Sequence, residues 1–323
     1  MRAAGLLLLS VLGACARPNA PARPLPQPPP APAGIVHTTG TFDGDGGAVL
    51  FEQCWKPADR APSSVVVLVH GIKDHSSRYQ ELAEALVRAG HAACGFDHRG
   101  HGRSSGPRFD LYPFSADLRD TDRYLAMVRQ RFPGAPLFMF GHSMGGLLVP
   151  LYVIERQPEL AGIVLSAPAV HPPLHPFAIA GLMVAATLAP NAPLLDAPDD
   201  GFSPDPAVVQ GMRDDPLIPH GKGTGRMAAE LARGIERVWA GVTTIRAPIL
   251  ILSGTVDQEV DPHGSIELRR RVGSQDATLH MYRGAGHDLA HDPQKAAIVR
   301  DIVSWVDAHT HELGPDGRGT RSP

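Results

Sequence analysis

The chain of 323 residues is 43% hydrophobic and 20% charged, with a formal net charge of −3. That length allows at most about two domains; the apolar share excludes disorder throughout, and the charge gives no electrostatic ground for a nucleic-acid partner. Three cysteines are too few for a disulfide-built scaffold, whereas 32 prolines exceed the usual share about twofold.

Eight of the prolines fall between Pro18 and Pro32, in a stretch without apolar periodicity. Such a segment buries too little surface to offset its ordering entropy, and it reads as a semi-extended tether. Ahead of it stand Arg2, the apolar run GLLLLSVL over residues 5–12, and then Gly13, Ala14 and Cys15. One basic residue, a short apolar run and small residues describe an export signal, because the run is too short to span a membrane. Leu12-Gly13-Ala14-Cys15 also resembles the lipobox of bacterial lipoproteins. The resemblance implies a signal peptide over residues 1–14, a lipid on Cys15 and a tether over residues 15–34. The alternative is soluble export after a cut near Ala14 or Ala16. The residue after Cys15 is not acidic, which favours the outer membrane over the inner.

From Ile35 onward short apolar runs alternate with longer amphipathic stretches. The pattern predicts strands over residues 48–55, 65–69, 92–96, 137–140, 162–166, 249–253 and 278–282. Helices are predicted over residues 78–89, 115–131, 144–157, 266–272 and 294–308. The β-branched run at residues 65–69 suits a strand buried on both faces. Together these predict an α/β fold, a mostly parallel central sheet flanked by helices, over residues 35–312, with a frayed tail over residues 313–323.

One stretch, about residues 170–241, has no strand signal but many prolines and two helical patterns, at residues 177–188 and 225–240. It reads as a helical cap inserted over the sheet. Residues 177–188 (FAIAGLMVAATL) are apolar all round and too short to cross a membrane. They suit either a lid that meets lipid or lines an acyl channel, or a core helix of the cap.

The strand signal at residues 137–140 runs into Gly141-His142-Ser143-Met144-Gly145-Gly146 and then a helical pattern. This is G-x-S-x-G in its strand–turn–helix setting, where glycines leave room for a turn sharp enough to expose the serine hydroxyl. A serine is a weak nucleophile at neutral pH and needs a base, which in turn needs an orienting carboxylate. Asp257 follows the strand signal at residues 249–253, and His287 lies in the Gly-rich loop after residues 278–282. We therefore expect Ser143 as nucleophile, His287 as general base and then acid, and Asp257 as its orienter. Asp261 and Asp288 are the rival acids. His287 and His291 have i, i+4 spacing, but no Glu lies between them and no third ligand is implied, so a metal site is not expected. The oxyanion of a tetrahedral intermediate needs backbone N–H donors, expected from Met144 and from Ile72 in the loop His70-Gly71-Ile72.

Several segments together resemble the monoacylglycerol lipase and lysophospholipase branch of the α/β-hydrolases. They are His70-Gly71 with His75-Ser76-Ser77-Arg78-Tyr79, the stretch Asp97-His98-Arg99-Gly100-His101-Gly102-Arg103-Ser104, the Ser143 turn, Ser166-Ala167-Pro168-Ala169, Gly254 with Asp257, and the His287 loop. The resemblance covers about residues 38–308. It implies hydrolysis of a single-chain lipid ester through an acyl-enzyme, no cofactor, and a cap bordering the acyl pocket. It also implies that Asp97, Arg99 and His101 organise a loop rather than react. Lys73-Asp74 stands where the family pattern has Gly-Glu, so the acidic character is kept and the glycine is lost. The cap matches only loosely, as in Asp215-Pro216-Leu217. The family's strand order would set Cys54 beside Cys94. A disulfide is then open to them in an oxidising compartment, but adjacent strands suit the bond poorly, and two buried thiols are the favoured expectation.

Other activities of the fold remain open: a short-chain carboxylesterase, a thioesterase or a serine peptidase. Serine at the turn argues against epoxide hydrolase and dehalogenase chemistry, which need a carboxylate there. A non-catalytic surface binding protein is the remaining alternative.

Overall fold

Val65, Val66, Val67, Leu68 and Val69 form a strand in which no residue is more than 2% exposed. Side chains alternate along a strand, so the odd-numbered residues enter one hydrophobic cluster and Val66 and Leu68 another. A continuous apolar run is what a strand between two helical layers requires. The structure, a computed structural model, describes residues 30–110, 113–171 and 176–311. The expected signal peptide, Cys15 with its expected lipid, most of the expected tether and the expected frayed tail lie outside the described residues.

In chain order the strands are β1 (Ile35–Asp43), β2 (Val49–Pro57), β3 (Val65–Val69), β4 (Ala92–Phe96), β5 (Leu137–His142), β6 (Gly162–Ser166), β7 (Ile249–Gly254) and β8 (Ala277–Tyr282). They form one sheet in the order β1-β2-β4-β3-β5-β6-β7-β8. The pairs β1·β2 and β2·β4 are antiparallel, and every later pair is parallel. The helices are α1 (Gln80–Ala89), α2 (Phe114–Arg131), α3 (Met144–Arg156), α4 (Pro176–Leu188), α5 (Pro206–Asp214), α6 (Gly225–Gly241), α7 (His263–Arg271) and α8 (Lys295–His311). Leu82, Leu86 and Val87 of α1 share one cluster with Ile298, Ile302 and Val306 of α8. Leu118 and Leu125 of α2 and Leu147 and Leu151 of α3 enter the other, so the helices cover both faces of the sheet.

Two elements escaped the sequence reading. The strand β1 lies at the sheet edge with only Phe42 buried, so it carries no apolar alternation to announce it. In the cap, α5 starts where Asp205 accepts a hydrogen bond from the Ala207 amide at 2.9 Å and Pro206 occupies the first turn. That Asp-Pro pair is a helix-start signal visible in the sequence.

One expectation is corrected. Cys54 and Cys94 face each other directly in the β2·β4 register and are joined by a disulfide rather than left as thiols. The antiparallel pairing sets the two residues directly opposite each other, with their Cβ atoms side by side.

Between β6 and β7 the chain leaves the sheet for α4, α5 and α6. Helix α4 packs chiefly against α6, and the only bridge described in this segment joins Leu195 to Gly223. The all-round apolar character of α4 has a two-sided cause. Ala186 is buried and Ile179 lines a cavity, while Val184 and Leu188 are 61% and 81% exposed. Among the described residues no helix is long and apolar enough to cross a membrane.

Candidate active site

Ser143 sits between the end of β5 and the start of α3 with φ 53° and ψ −115°, a backbone conformation that L residues seldom adopt. It costs roughly 1–3 kcal/mol and is held by its surroundings. The Ser143 amide donates to Ser166 O at 3.0 Å, and its own carbonyl accepts from Leu147 at 3.1 Å and Ala169 at 3.0 Å. The flanking glycines are sterically required. A Cβ on Gly141 would lie 2.3 Å from Gly145 O, and one on Gly145 would lie 2.0 Å from Val69 O. Met144 opens α3, and the first amides of a helix have no partner inside it.

The loops after β7 and β8 are tied together, with Thr255 N donating to Tyr282 O at 3.0 Å and Val256 N to Ala285 O at 3.1 Å. This brings His287 to Asp257, where Nδ1–H donates to Oδ2 at 2.8 Å. The other carboxylate oxygen accepts from the amides of Glu259 at 2.9 Å and Val260 at 3.0 Å, so Asp257 has one orientation. Both side chains are buried. Burial works against a charge on His287, but the Asp257 carboxylate, its hydrogen bond and the nearby Glu259 and Asp288 outweigh it and raise the imidazole above its ordinary value. His142 lies with its ring 4.9 Å from that of His287. Burial, reinforced by the His287 charge, lowers His142 to about 4, so it stays neutral and donates Nδ1–H to Ser166 O at 3.1 Å.

The rival acids are engaged elsewhere. Asp261 pairs with His263 at 2.8 Å. Asp288 pairs with Arg78, and with His291 at 2.8 Å. His291 has both ring nitrogens committed, Nδ1 to Asp288 and Nε2 to Arg78 O at 3.0 Å.

Ile72 follows β3 in a loop knotted by Asp74. The Asp74 carboxylate accepts from the amides of Gly71 at 3.3 Å and His75 at 2.8 Å and from the Tyr79 hydroxyl at 2.5 Å, and it pairs with Arg78 at 3.1 Å. Lys73 adopts φ 51°, the conformation a glycine would take without strain; for a lysine it costs about 1–2 kcal/mol. The loop is thus built without its family glycine, at a cost in strain.

Beneath it, burial keeps His70 well below its usual range. It is then a neutral ring whose Nδ1–H donates to Gly71 O at 2.7 Å and whose Nε2 accepts from the His98 amide at 2.9 Å. Asp97 accepts from the Ser76 and Arg103 amides, both at 2.8 Å. Arg99 bonds Asp120 at 2.8 Å, and His101 bonds Arg99 O at 2.9 Å.

Ser143, Met144, Ile72 and His287 line one cavity of about 350 Å³, with Asp257 behind His287. All five expected site residues therefore converge where β3, β5, β7 and β8 end, beneath the cap. Most of the wall is apolar, from Ala169, Ile179, Leu195 and Phe202 to Leu231, Ile235 and Val260. Of the wall residues that the sequence reading did not single out, two bear on His287. The Phe202 ring meets His287 edge-on at 5.4 Å. Glu259 brings a carboxyl into the wall, which burial pushes up to about 7. Its place two residues after Asp257 was the only signal for it.

The Hydrolase_4 family profile, described as serine aminopeptidase S33, matches residues 60–294. The chain is 35% identical over 274 residues to a monoacylglycerol lipase of Mycolicibacterium smegmatis, covering 83% of this chain and 96% of that protein. It is 31% identical over 273 residues to the monoglyceride lipase of Homo sapiens, covering 83% and 90%. Among solved structures, the monoacylglycerol lipase of Paleococcus ferrophilus superposes with a TM-score of 0.71 at 31% identity, over 80% of this chain and 99% of that one.

Proposed function

The chain belongs to the Hydrolase_4 family of α/β-hydrolases, and on that footing we propose that it cleaves carboxylic esters of single-chain lipids, monoacylglycerols or lysophospholipids, through an acyl-enzyme on Ser143. The observation that carries this reading is a largely apolar cavity that ends at Ser143 beside a histidine oriented by a buried carboxylate. With Nδ1 committed to Asp257, Nε2 of His287 is the nitrogen left to take the Ser143 proton. The Ser143 oxygen then attacks the ester carbonyl, and the Ile72 and Met144 amides receive the oxyanion. Collapse expels the alcohol as His287 protonates it. Water, deprotonated by the same ring, releases the fatty acid. Two of the relatives are monoacylglycerol or monoglyceride lipases by name, which supports the lipid ester as substrate.

The family's description as serine aminopeptidase S33 and the Glu259 carboxyl, which suits a substrate amine, favour one second reading, a serine aminopeptidase. A panel of p-nitrophenyl esters, monoacylglycerols, lysophospholipids and aminoacyl amides separates the two. Turnover of the lipid esters is expected, and turnover confined to the amides would replace the lipase reading.

We further propose that the protein is exported and held at a membrane by a lipid on Cys15. The Cys54–Cys94 disulfide supports an oxidising compartment, and the exposed apolar face of α4 suits contact with a lipid surface. Palmitate label on the wild type, with signal cleavage that globomycin blocks, supports the anchor; a Cys15→Ala protein equally labelled and membrane-bound rejects it.

A further inference from the structure

Lys73 is a lysine with 2% of its side chain exposed, and lysines are almost never so buried unless paired. Its Nζ donates to Ala197 O at 2.9 Å and forms an ion pair with Asp199, both in the cap segment between α4 and α5. Ala197, Phe202 and Ile72 line the same cavity wall as Ser143. The Lys73 ammonium also lies 5.8 Å from the centroid of the Phe202 ring, which meets His287 edge-on at 5.4 Å. Phe202 O accepts from the Asp288 amide at 2.8 Å, beside His287. A second tie runs parallel to the first, from His75 Nε2 to Asp215 Oδ2 of the cap at 2.9 Å. The loop that carries Ile72, the cap segment and the His287 loop are therefore one connected unit, and Lys73, with His75 beside it, crosses from the first to the cap.

We propose that Lys73 is a positioning residue, which fixes the Ile72 amide for the oxyanion by strapping its loop to the cap segment at Ala197 and Asp199. The residue next to Ile72 takes up a conformation that glycine would adopt more readily, and in exchange gains a buried cation that no glycine supplies. A cap that shifts with substrate would move the oxyanion donor with it. The strap acts on the transition state more than on the bound ester, because the oxyanion forms only as the carbonyl is attacked.

The inference rests on the roles proposed for Ser143 and Ile72, so wild type, Ser143→Ala, Lys73→Met, Lys73→Gly, Lys73→Arg and Asp199→Asn are measured together. The readouts are kcat and KM on a soluble p-nitrophenyl ester and inhibition by an alkyl boronic acid and by the product fatty acid. Lys73→Met and Lys73→Gly are expected to lose about ten- to a hundredfold in kcat, the scale of a small misplacement, with KM little changed. They should lose boronic acid affinity in proportion while binding the fatty acid as the wild type does. Lys73→Arg should recover most of the loss. Wild-type kcat in Lys73→Gly, or equal weakening of both inhibitors, overturns the proposal. Should Lys73→Met fail to fold, Asp199→Asn keeps the loop sequence intact and is expected to lose kcat severalfold; a wild-type kcat and inhibitor ratio there also overturns it. A wild type without ester turnover overturns the hydrolase reading and this one together, whereas turnover abolished in Ser143→Ala but unchanged in the Lys73 series overturns this one alone.

Discussion

Asp257 holds His287 by Nδ1 at 2.8 Å, and its second oxygen is fixed by two backbone amides, so the ring is presented in one tautomer and one orientation. Replacing Asp257 by Asn keeps the shape but lets the amide stabilise the wrong tautomer. Asp257→Asn is expected to lose about 10⁴ in kcat on a p-nitrophenyl ester near neutral pH. A loss below tenfold would show that another acid orients His287.

The same pair sets the pH dependence. The His287 pKa is raised, and the base must be deprotonated to act, so kcat/KM should fall as pH drops through a value above 6.5. Glu259, titrating at about 7, is charged on the alkaline side of that value and favours the protonated imidazole. Glu259→Gln should therefore move the acid limb to lower pH. An unmoved limb, or one displaced upward, contradicts the coupling.

Much of this site was legible in the sequence because local chemistry specifies it. The Ser143 turn needs small residues on both sides, and Asp257 and His287 each follow a strand in the order the fold demands. The roles of Lys73 and Phe202 were not legible, because they arise from contacts between residues far apart in the chain, and that of Glu259 depends on the pairing of β7 with β8 that brings its loop to His287. Lys73 reaches Asp199, and Phe202 reaches His287. The edge strand β1 was missed for a related reason: it is defined by pairing with β2 rather than by burying a face of its own. The disulfide depended on a strand register that no local pattern carries.

Arg78 bridges two buried carboxylates, pairing with Asp74 at 3.1 Å and with Asp288. Its removal leaves Asp74 without its guanidinium partner and Asp288 with His291 alone. Arg78→Met should destabilise the fold by about 3–5 kcal/mol in urea denaturation, the cost of breaking a buried ion pair from one side. A change under about 1 kcal/mol would mean that these carboxylates find other partners or water.

The Cys54–Cys94 disulfide closes a sequence separation of 40 residues. The double variant Cys54→Ala/Cys94→Ala is expected to be less stable than the oxidised wild type by about 2–4 kcal/mol, and reductant should lower the wild-type Tm without affecting the variant. A wild type that titrates two thiols when denatured without reductant would remove the bond.

The most direct test is intact-mass and peptide-mapping mass spectrometry of the protein treated with a fluorophosphonate, alongside Ser143→Ala. One adduct per chain is expected, on the peptide containing Ser143, with loss of monoacylglycerol hydrolysis in step with labelling and no adduct in Ser143→Ala. An unlabelled wild type, an adduct on another residue, or hydrolysis that survives in Ser143→Ala would contradict a serine hydrolase centred on Ser143, His287 and Asp257.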